Sequence, residues 1–306
     1  PLTDLSVAYI QDEKAFIADK VFPIVPVKKQ SDRYFVYSQN DFLRDEAQVR
    51  APATESAGGG YTLDNTPNYF CNSVAFHKDV WEGEYENADP VLKPDDDAAI
   101  FTTHKLLIKR ERDWVTGYFA TGVWGTEYTA GVDFTQWATG AGTPIDNVET
   151  GIKAILSSTG RKPNKFVIGW DVWAILRNHS TVIERIKYSE RGIVTQQLLA
   201  EVLGVDEVIV AEAVYATNVE GAAAAYAFVH GKHALLCHAA PNPGLRTPSA
   251  GYIFAWTGLY GAGAFGLRQK KFYIDTLSAN RIEGEMAYDM KVVGSSLGAF
   301  YLNAVA

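Results

Sequence analysis

Hydrophobic and polar residues alternate most clearly near the end of the chain. In Glu285–Val292 a large apolar side chain occupies every even position, and this period of two predicts a strand. Two short apolar runs, Phe166–Gly169 and Val208–Val210, predict further strands, the first of them buried. The pattern of residues 222–238 predicts two more strands joined by a turn at Gly231–Lys232.

The longest predicted helix opens at Asp95–Asp97. Three acidic residues there suit the positive end of the helix dipole and offer a cap. Apolar residues then recur at helical spacing, which predicts a buried face made of Ile100/Phe101, His104, Leu107/Ile108, Trp114/Val115 and Tyr118. Gly117 and Gly122 bracket the expected end. About twenty residues at a rise of about 1.5 Å each make a rod of roughly 30 Å.

Helical patterns alternate with strands from Pro144 to about Tyr215. Four helices are expected, and they begin at Asp146, Asp171, Ser180 and Thr195. Gly160 should end the first of them and Gly204 the last. Alternation of this kind predicts an α/β unit.

The first thirty residues lack the pattern of a domain. Asp12–Lys20 predicts a short helix. The helix cannot continue through Pro23 and Pro26, because proline lacks the backbone N–H and its ring clashes with the preceding turn. Val21–Val27 is therefore expected to be extended.

Two β-prone segments, Tyr34–Tyr37 and Tyr69–Phe76, flank about thirty residues rich in charge and turn formers. A structureless loop of that length is uncommon inside a compact domain. The loop carries charges of alternating sign, at Asp41, Arg44, Asp45, Glu46, Arg50 and Glu55. Two interpretations remain open on this pattern: a disordered insertion, or a projecting two-stranded arm that a neighbouring molecule orders.

Composition narrows the class of protein. The length of 306 residues exceeds what one hydrophobic core usually serves and predicts about two domains. The chain has 36 Asp and Glu against 28 Lys and Arg. An acidic chain of this kind is not expected to bind nucleic acid through the phosphates. With only Cys71 and Cys237, a disulfide framework and a cysteine-built zinc cluster are excluded. No apolar run approaches the roughly 20 residues of a membrane span, and Pro1–Asp4 lacks signal-peptide features, so a soluble protein made in the cytosol is expected.

Two glycine motifs match enzyme signatures. Gly294–Gly298 fits the G-x-S-x-G turn of serine hydrolases around Ser296, but all six histidines precede it, whereas that architecture places its acid and histidine later in the chain. Gly261–Gly266 fits G-x-G-x-x-G, yet an extended segment is predicted where the dinucleotide fold needs a helix. We interpret both motifs as turns or bulges.

A group of three histidines, His230, His233 and His238, suggests a metal site. His230 and His233 flank a predicted turn, which would point their rings apart, and no carboxylates cluster beside them in sequence. Structural histidines are therefore the expected interpretation, and no catalytic residue, cofactor or metal is predicted.

Four stretches resemble the major capsid protein of a tailed bacteriophage, which has the Hong Kong 97-type fold. They are Ala18–Val27, Asp41–Pro52, Val167–His179 and Leu199–Val210. The likeness is spread over nearly the whole chain and follows the order of the elements, without a catalytic signature.

The resemblance implies an α+β capsid fold with five segments. These are an N-terminal arm (1–32), an extended E-loop (33–78), a peripheral domain with a spine helix (79–143), an axial α/β domain (144–261) and the return of the chain to the peripheral domain (262–306). Contacts between subunits would involve four charged residues of the E-loop, which would fix register more than affinity: Arg44, Asp45, Glu46 and Arg50.

The same resemblance implies a non-enzymatic structural protein that self-assembles into an icosahedral shell around double-stranded DNA. Expected partners are other copies of the chain in pentamers and hexamers, a portal, a decoration protein, and a scaffold that is either a separate protein or a segment removed before Pro1. The DNA would be enclosed without sequence-specific binding, no membrane is involved, and the shell would assemble in the cytoplasm of the bacterial host. Because Gln30–His77 contains no lysine, the E-loop is not expected to form the lysine–asparagine cross-link of some relatives.

Two alternatives stand beside this interpretation. The first is the shell protein of a bacterial nanocompartment, similar to the encapsulins, which has the same fold but holds protein cargo. The second, from a different class, is a metal- or serine-dependent hydrolase that uses His230 and His233 or Ser296.

Overall fold

A computed structural model describes residues 11–89, 92–138, 140–187, 194–244, 247–260 and 267–306. The helices in these ranges are α1 (Ala18–Val21), α2 (Gln39–Leu43), α3 (Glu82–Asn87), α4 (Pro94–Tyr118), α5 (Pro144–Thr159), α6 (Trp170–Leu176), α7 (Ser180–Ile186), α8 (Gln196–Leu203) and α9 (Thr257–Tyr260). Single 3₁₀ turns lie at Glu13–Ala15, Asp275–Leu277 and Ser295–Leu297.

The strands of the same ranges are β1 (Ile24–Val27), β2 (Ser31–Arg33), β3 (Val36–Tyr37), β4 (Leu63–Asp64), β5 (Asn68–Phe70), β6 (Asn72–Trp81), β7 (Thr126–Thr129), β8 (Lys165–Gly169), β9 (Glu207–Ala211), β10 (Val214–Ala216), β11 (Tyr226–Phe228), β12 (Ala234–Cys237), β13 (Gly251–Trp256), β14 (Arg268–Ile274), β15 (Ala279–Val292) and β16 (Gly298–Leu302).

Strand β15 is the centre of a five-stranded sheet, called here the β15 sheet. It is antiparallel to β6 along one edge and to β14 and β13 along the other, and β1 adds to β13 in parallel. The predicted alternation is confirmed, since Met286, Tyr288 and Met290 are buried while Glu285 and Asp289 are partly exposed. Helix α4 packs across β6 and β15.

A second five-stranded sheet, the β12 sheet, has the order β7-β16-β12-β8-β9. Its strands β8, β12 and β16 are buried on both faces. Phe166 and Ile168 of β8 lie in a core shared with α5, α6, α7 and α8. Val167 between them lies in a different core, with Leu106 and Trp114 of α4. The sheet is therefore a middle layer between the α/β helices and the long helix.

The predicted long helix is confirmed, but of the apolar face predicted for it only Trp114 is fully buried. Helix α4 is 25 residues long, and its buried residues are Ala98, Thr102, Leu106, Arg110, Glu111 and Trp114, whereas Ile100 and Phe101 are each 45% exposed. The buried face lies close against β15: a Cβ atom at Gly284 would lie 2.9 Å from Cδ1 of Leu106. The expected acidic cap is also absent from α4, which begins at Pro94 without a side-chain cap.

The α/β helices occur where the sequence predicts them. Thr195 caps α8 by accepting a hydrogen bond from the Leu198 N–H, and Gly160 and Gly204 end α5 and α8 with φ of 67° and 71°. Left-handed φ values of this kind favour glycine. Asp146 was expected to cap α5, but that helix begins at Pro144 and has no side-chain cap.

The two strands predicted within residues 222–238 and the turn at Gly231–Lys232 are confirmed, but the strands do not pair with each other as a hairpin. Strand β11 pairs with β10, while β12 lies between β8 and β16. All four residues of β12 are buried, whereas Tyr226 of β11 is 72% exposed. A strand that buries both faces belongs in a sheet that is covered on both sides, as the β12 sheet is, and the exposed β11 lies outside that sheet.

Each of the two sheets contains strands from distant parts of the chain. β7 and β16, at residues 126–129 and 298–302, belong to the β12 sheet, while β13, at residues 251–256, belongs to the β15 sheet. The sheets therefore do not coincide with the continuous ranges 79–143, 144–261 and 262–306. The Gly261–Gly266 motif lies outside the described residues. In the part of the chain that the structure describes, no helix is both long and apolar enough to cross a bilayer.

The N-terminal segment is a strap, defined here as residues 11–27. The expected helix forms as two short pieces, Glu13–Ala15 and α1, and the chain then becomes extended as β1. Phe16, Ile17 and Phe22 are almost fully buried. The strap therefore completes the core beneath α4.

Both cysteines lie in the cores. Cys71 follows β5 and Cys237 ends β12, each with no exposed surface. Burial raises the pKa of each thiol to about 12. Both thiols are therefore protonated and shielded at neutral pH.

We predict that neither cysteine reacts with iodoacetamide at about pH 8 in the folded protein, because the reactive thiolate is neither formed nor accessible. Mass spectrometry should find both positions unmodified in buffer and fully alkylated in denaturant. Selective alkylation of Cys71 in buffer would contradict the packing at the base of β5.

Candidate functional site

The most exposed feature of the molecule is a projecting arm, residues 31–71. Its stem consists of two short antiparallel pairs, β2 with β5 and β3 with β4. Residues 44–62 form no helix or strand, and every residue from 42 to 66 is exposed. Of the two interpretations left open by the sequence, the structure favours the two-stranded arm, with an irregular distal part.

The base of the arm is anchored by aromatic stacking. The Tyr69 ring stacks on Phe254 of β13 with 4.6 Å between ring centroids, and the Tyr34 ring stacks on the same phenyl group at 5.5 Å. The Phe70 N–H donates to Asp289 Oδ2 at 2.9 Å. The arm therefore leaves the β15 sheet from a fixed position.

The distal part carries apolar side chains that its own chain leaves in solvent. The rings of Tyr37, Phe42 and Tyr61 cluster with centroids 5.8–5.9 Å apart, yet Phe42 and Tyr61 are 64% and 66% exposed. Exposed apolar groups that gather in one patch are typical of an interaction surface. We call these three rings the aromatic tip.

The four predicted contact residues lie between Phe42 and Tyr61 of the aromatic tip in the sequence, and all four are exposed. Arg44 Nη1 lies 3.6 Å from Glu46 Oε1, and the Arg50 guanidinium donates to the Thr54 carbonyl. Asp45 lies between the two paired charges. Ion pairs this exposed add little to the stability of a single subunit, so these charges remain available to another molecule.

Local hydrogen bonds shape the turns of the arm. The Thr62 N–H donates to Asp41 Oδ2 at 2.8 Å, and the Thr66 N–H donates to Asp64 Oδ1 at 2.9 Å. These bonds hold the pKa of each carboxyl below its usual value. The charges at both turns therefore persist at neutral pH.

Gln39 of α2 connects the arm to the body of the same subunit. Its Nε2 donates to the Ser158 carbonyl at the end of α5, and its Oε1 accepts from the Ser296 hydroxyl at 3.2 Å. A single side chain with two polar contacts is a small attachment for an arm of this size.

An open groove lies near the start of α4, between α3, α4 and β6. Its volume is about 590 Å³, and its apolar lining includes Val80, Leu92, Ala98 and Phe101. Charged groups at its edge include Lys78 and Glu84, whose Nζ and Oε1 atoms are 3.6 Å apart. Leu92 and Phe101 are 43% and 45% exposed, so the groove presents uncovered apolar surface.

A buried polar cluster joins the strap to α4. Glu111, which has no exposed surface, accepts hydrogen bonds from the N–H groups of Ile17 at 3.0 Å and 3.1 Å and of Ala18 at 3.0 Å. His230 Nε2 lies 3.2 Å from Glu111 Oε1, and its side chain is also fully buried. Beside them Arg110 Nη2 lies 3.7 Å from Asp19 Oδ1.

The residues of the hydrolase alternative make separate contacts. The Ser296 hydroxyl bonds to Gln39, and His230 lies beside Glu111. His233 Nδ1 accepts the backbone N–H of Asn303 at 3.0 Å, and His238 Nδ1 lies 2.9 Å from the Lys162 carbonyl oxygen. Among the described residues, no group of three or more His, Cys, Asp and Glu side chains is placed to hold a metal ion.

Sequence reasoning located the arm but missed the groove, Gln39 and the Glu111 cluster. Glu111 lies within a charged run, Lys109–Asp113, that looks like a solvated helix face. Its position on the buried side of α4 could have been found only by predicting correctly which side of the helix faces the core.

Two curated proteins are similar to the chain along much of its length. The major capsid protein of Burkholderia phage BcepMu is 30% identical over 230 residues, which cover 71% of this chain and 69% of that protein. The major capsid protein of Pseudomonas phage JBD67 is 25% identical over 312 residues, covering 100% of this chain and 96% of that protein. No protein-family model matches the chain.

Solved structures share the fold. A phage-related protein from Bordetella bronchiseptica RB50 has a TM-score of 0.72 at 18% identity, covering 96% of this chain and 94% of that one. The capsid of cyanophage P-SCSP1u has a TM-score of 0.61 at 13% identity, covering 97% and 90%. The SrpI encapsulin of Synechococcus elongatus PCC 7942 has a TM-score of 0.57 at 11% identity, covering 99% and 94%.

The fold is therefore common to phage capsids and an encapsulin, and the fold alone does not separate them. The similarity in sequence does, because it is to phage proteins at 30% identity over more than two thirds of both chains. This chain belongs to the family of phage major capsid proteins.

Proposed function

We propose that the protein assembles with copies of itself into a closed icosahedral shell that encloses the double-stranded DNA of a tailed phage. The observation that carries the proposal is the projecting arm, whose aromatic tip and charges are exposed in a single subunit. A subunit that leaves such a surface uncovered is suited to completing its neighbours. Many modest contacts of this kind become strong when a symmetric assembly closes.

The segments of the Hong Kong 97-type fold can be matched to observed elements. The E-loop corresponds to the projecting arm with the adjoining start of β6, and the spine helix corresponds to α4. The peripheral domain corresponds to the β15 sheet with α4, and the axial domain to the β12 sheet with α5, α6, α7 and α8. In this assignment β7 and β16 belong with the axial domain and β13 with the peripheral domain.

The groove beside α4 is suited to receive the aromatic tip of a neighbouring subunit. Both surfaces are apolar and uncovered in the single chain, and both have charged edges, with Lys78 and Glu84 at the groove and Arg44 and Glu46 beside the tip. Burial of one phenyl group contributes about 1.5–3 kcal/mol. Each contact between an aromatic tip and a groove in the shell would make that contribution once.

The remaining roles follow from the same proposal. The subunit is not an enzyme and needs no cofactor. It forms pentamers and hexamers, assembles in the host cytoplasm with a scaffolding protein and a portal, and accepts a decoration protein. The acidic balance of 36 acidic to 28 basic residues suits a shell that encloses DNA without adhering to it.

The enclosed material is the direct test of the proposed function. Particles purified from infected cells should be closed shells by electron microscopy and should contain double-stranded DNA that resists nuclease until the shell is opened. Particles that hold a protein cargo and no DNA would identify a nanocompartment instead. A protein that remains monomeric under all assembly conditions would refute both.

We predict that Phe42→Ala weakens assembly without destabilising the subunit. Phe42 is 64% exposed in the single chain, so the free energy of unfolding should change by less than about 0.5 kcal/mol. The concentration needed for assembly, measured by light scattering, should rise at least about tenfold, because about 1.4 kcal/mol of lost contact corresponds to a factor of ten.

Phe101→Ala in the groove should have a similar effect, and the double variant should lose less than the sum of the two single losses. Tyr226→Ala, which removes an aromatic ring 72% exposed outside the arm, is the matched control and should assemble normally. Additive effects of Phe42→Ala and Phe101→Ala would show that the tip does not dock in the groove.

Charges of the arm are predicted to set the rate and register of assembly. The variant carrying Arg44→Glu and Arg50→Glu should assemble more slowly than the wild type at about 50 mM salt and should approach the wild-type rate at about 500 mM, because salt screens exposed charges. Arg185→Glu on α7, which is also exposed, is the control. A defect that does not depend on salt would argue against an electrostatic role.

A further inference from the structure

The buried carboxylate of Glu111 connects three parts of the chain that are distant in sequence. It lies on α4 and accepts the N–H groups of Ile17 and Ala18 in the strap. Its Oε1 atom, which accepts the Ile17 N–H, also lies 3.2 Å from Nε2 of His230, in the turn formed by residues 229–233 that leads into β12. The strap and the 229–233 turn therefore meet at one carboxylate.

The cost of burying these groups shows that they depend on each other. Neither nitrogen of His230 has a hydrogen-bond partner within the described residues, and the ring is enclosed by Trp114 and Phe119 with centroids 5.6 Å and 5.4 Å away. An unsatisfied buried polar group is costly, and an unpaired buried charge is more so. Although it lacks hydrogen-bond geometry, the 3.2 Å approach of Nε2 to Oε1 lowers the cost of burying the imidazole, and it adds to the three hydrogen bonds that Glu111 accepts from the strap.

Other charged groups beside the cluster have partners of their own. Arg110 lies next to Asp19, and Asp113 Oδ2 accepts the Tyr288 hydroxyl at 2.7 Å. His230 is thus the group that brings the 229–233 turn to Glu111. In the contacts given above, it reaches the strap only through that carboxylate.

We propose that Glu111 and His230 form a lock that makes the strap and the 229–233 turn open together. When the turn moves away, Glu111 loses the imidazole and becomes a poorly compensated buried charge, so the strap is released. When the strap leaves, Glu111 loses the N–H groups of Ile17 and Ala18 and becomes exposed to water, which weakens its electrostatic contact with the imidazole. A displacement of either segment is thereby transmitted across α4 to the other.

Hydrogen exchange of the full-length subunit tests this coupling. In the wild type, the amides of Ile17 and Ala18 and that of Val229 should exchange through one opening event, with the same dependence on added denaturant. This comparison needs no substitution. Openings with clearly different denaturant dependence would overturn the proposal.

Substitutions test the direction of the coupling. His230→Phe keeps a ring between Trp114 and Phe119 but removes the nitrogen that faces Glu111. The lock predicts at least about tenfold faster exchange at Ile17 and Ala18, although His230 touches neither residue in the contacts given above. Glu111→Gln, which keeps the shape of the side chain, should accelerate exchange both at Ile17 and Ala18 of the strap and at Val229 of the turn.

Controls separate the lock from simple destabilisation. The amides of β15 should keep their wild-type protection in both variants, and Glu149→Gln, at an exposed carboxylate on α5, should change nothing. If His230→Phe leaves exchange of the strap at the wild-type level, Glu111 is only a local anchor for the strap and the coupling is absent. This result would leave the proposed shell function untouched, since assembly is measured separately.

Discussion

Burial of the β12 sheet on both faces is the constraint on which the rest of the fold depends. Alternate residues of β8, β12 and β16 enter two different cores, one under the α/β helices and one under α4. Neither core is closed by the sheet alone, so the helices must cover one side, and α4 with the strap must cover the other. The strap is therefore an integral part of the core rather than a loose end.

The projecting arm follows the opposite rule. The body of the subunit packs apolar side chains into its cores and leaves surfaces such as the groove uncovered. The arm leaves the rings of Phe42 and Tyr61 in solvent and is held at its base by rings stacked on Phe254. A fixed base and an uncovered end suit an element whose core is completed by another molecule. Beyond the base, Gln39 bonds the arm to Ser158 and Ser296 of its own body and leaves the rings of Phe42 and Tyr61 exposed.

The Glu111 cluster connects α4 to the strap and to the turn formed by residues 229–233. It lies in the core between the strap and α4, where a buried carboxylate is stable only if each of its contacts is present. Apolar packing would hold the same segments together without requiring all of them at once. In the proposed lock, a buried charge makes their positions conditional on one another.

Local sequence determined the elements whose cause is local. The alternation in β15, the stops at Gly160 and Gly204, the cap at Thr195 and the two stranded ends of the arm all follow from neighbouring residues, and each was predicted. The pairing of strands and the choice of which side of a helix is buried depend on distant residues. The partner of β11, the buried side of α4 and the meeting of Glu111 with His230 were set by how closely β15 approaches the helix and by which strands need two covered faces. Only the folded chain contains that information, because the same short segment gains or loses energy according to what lies across from it.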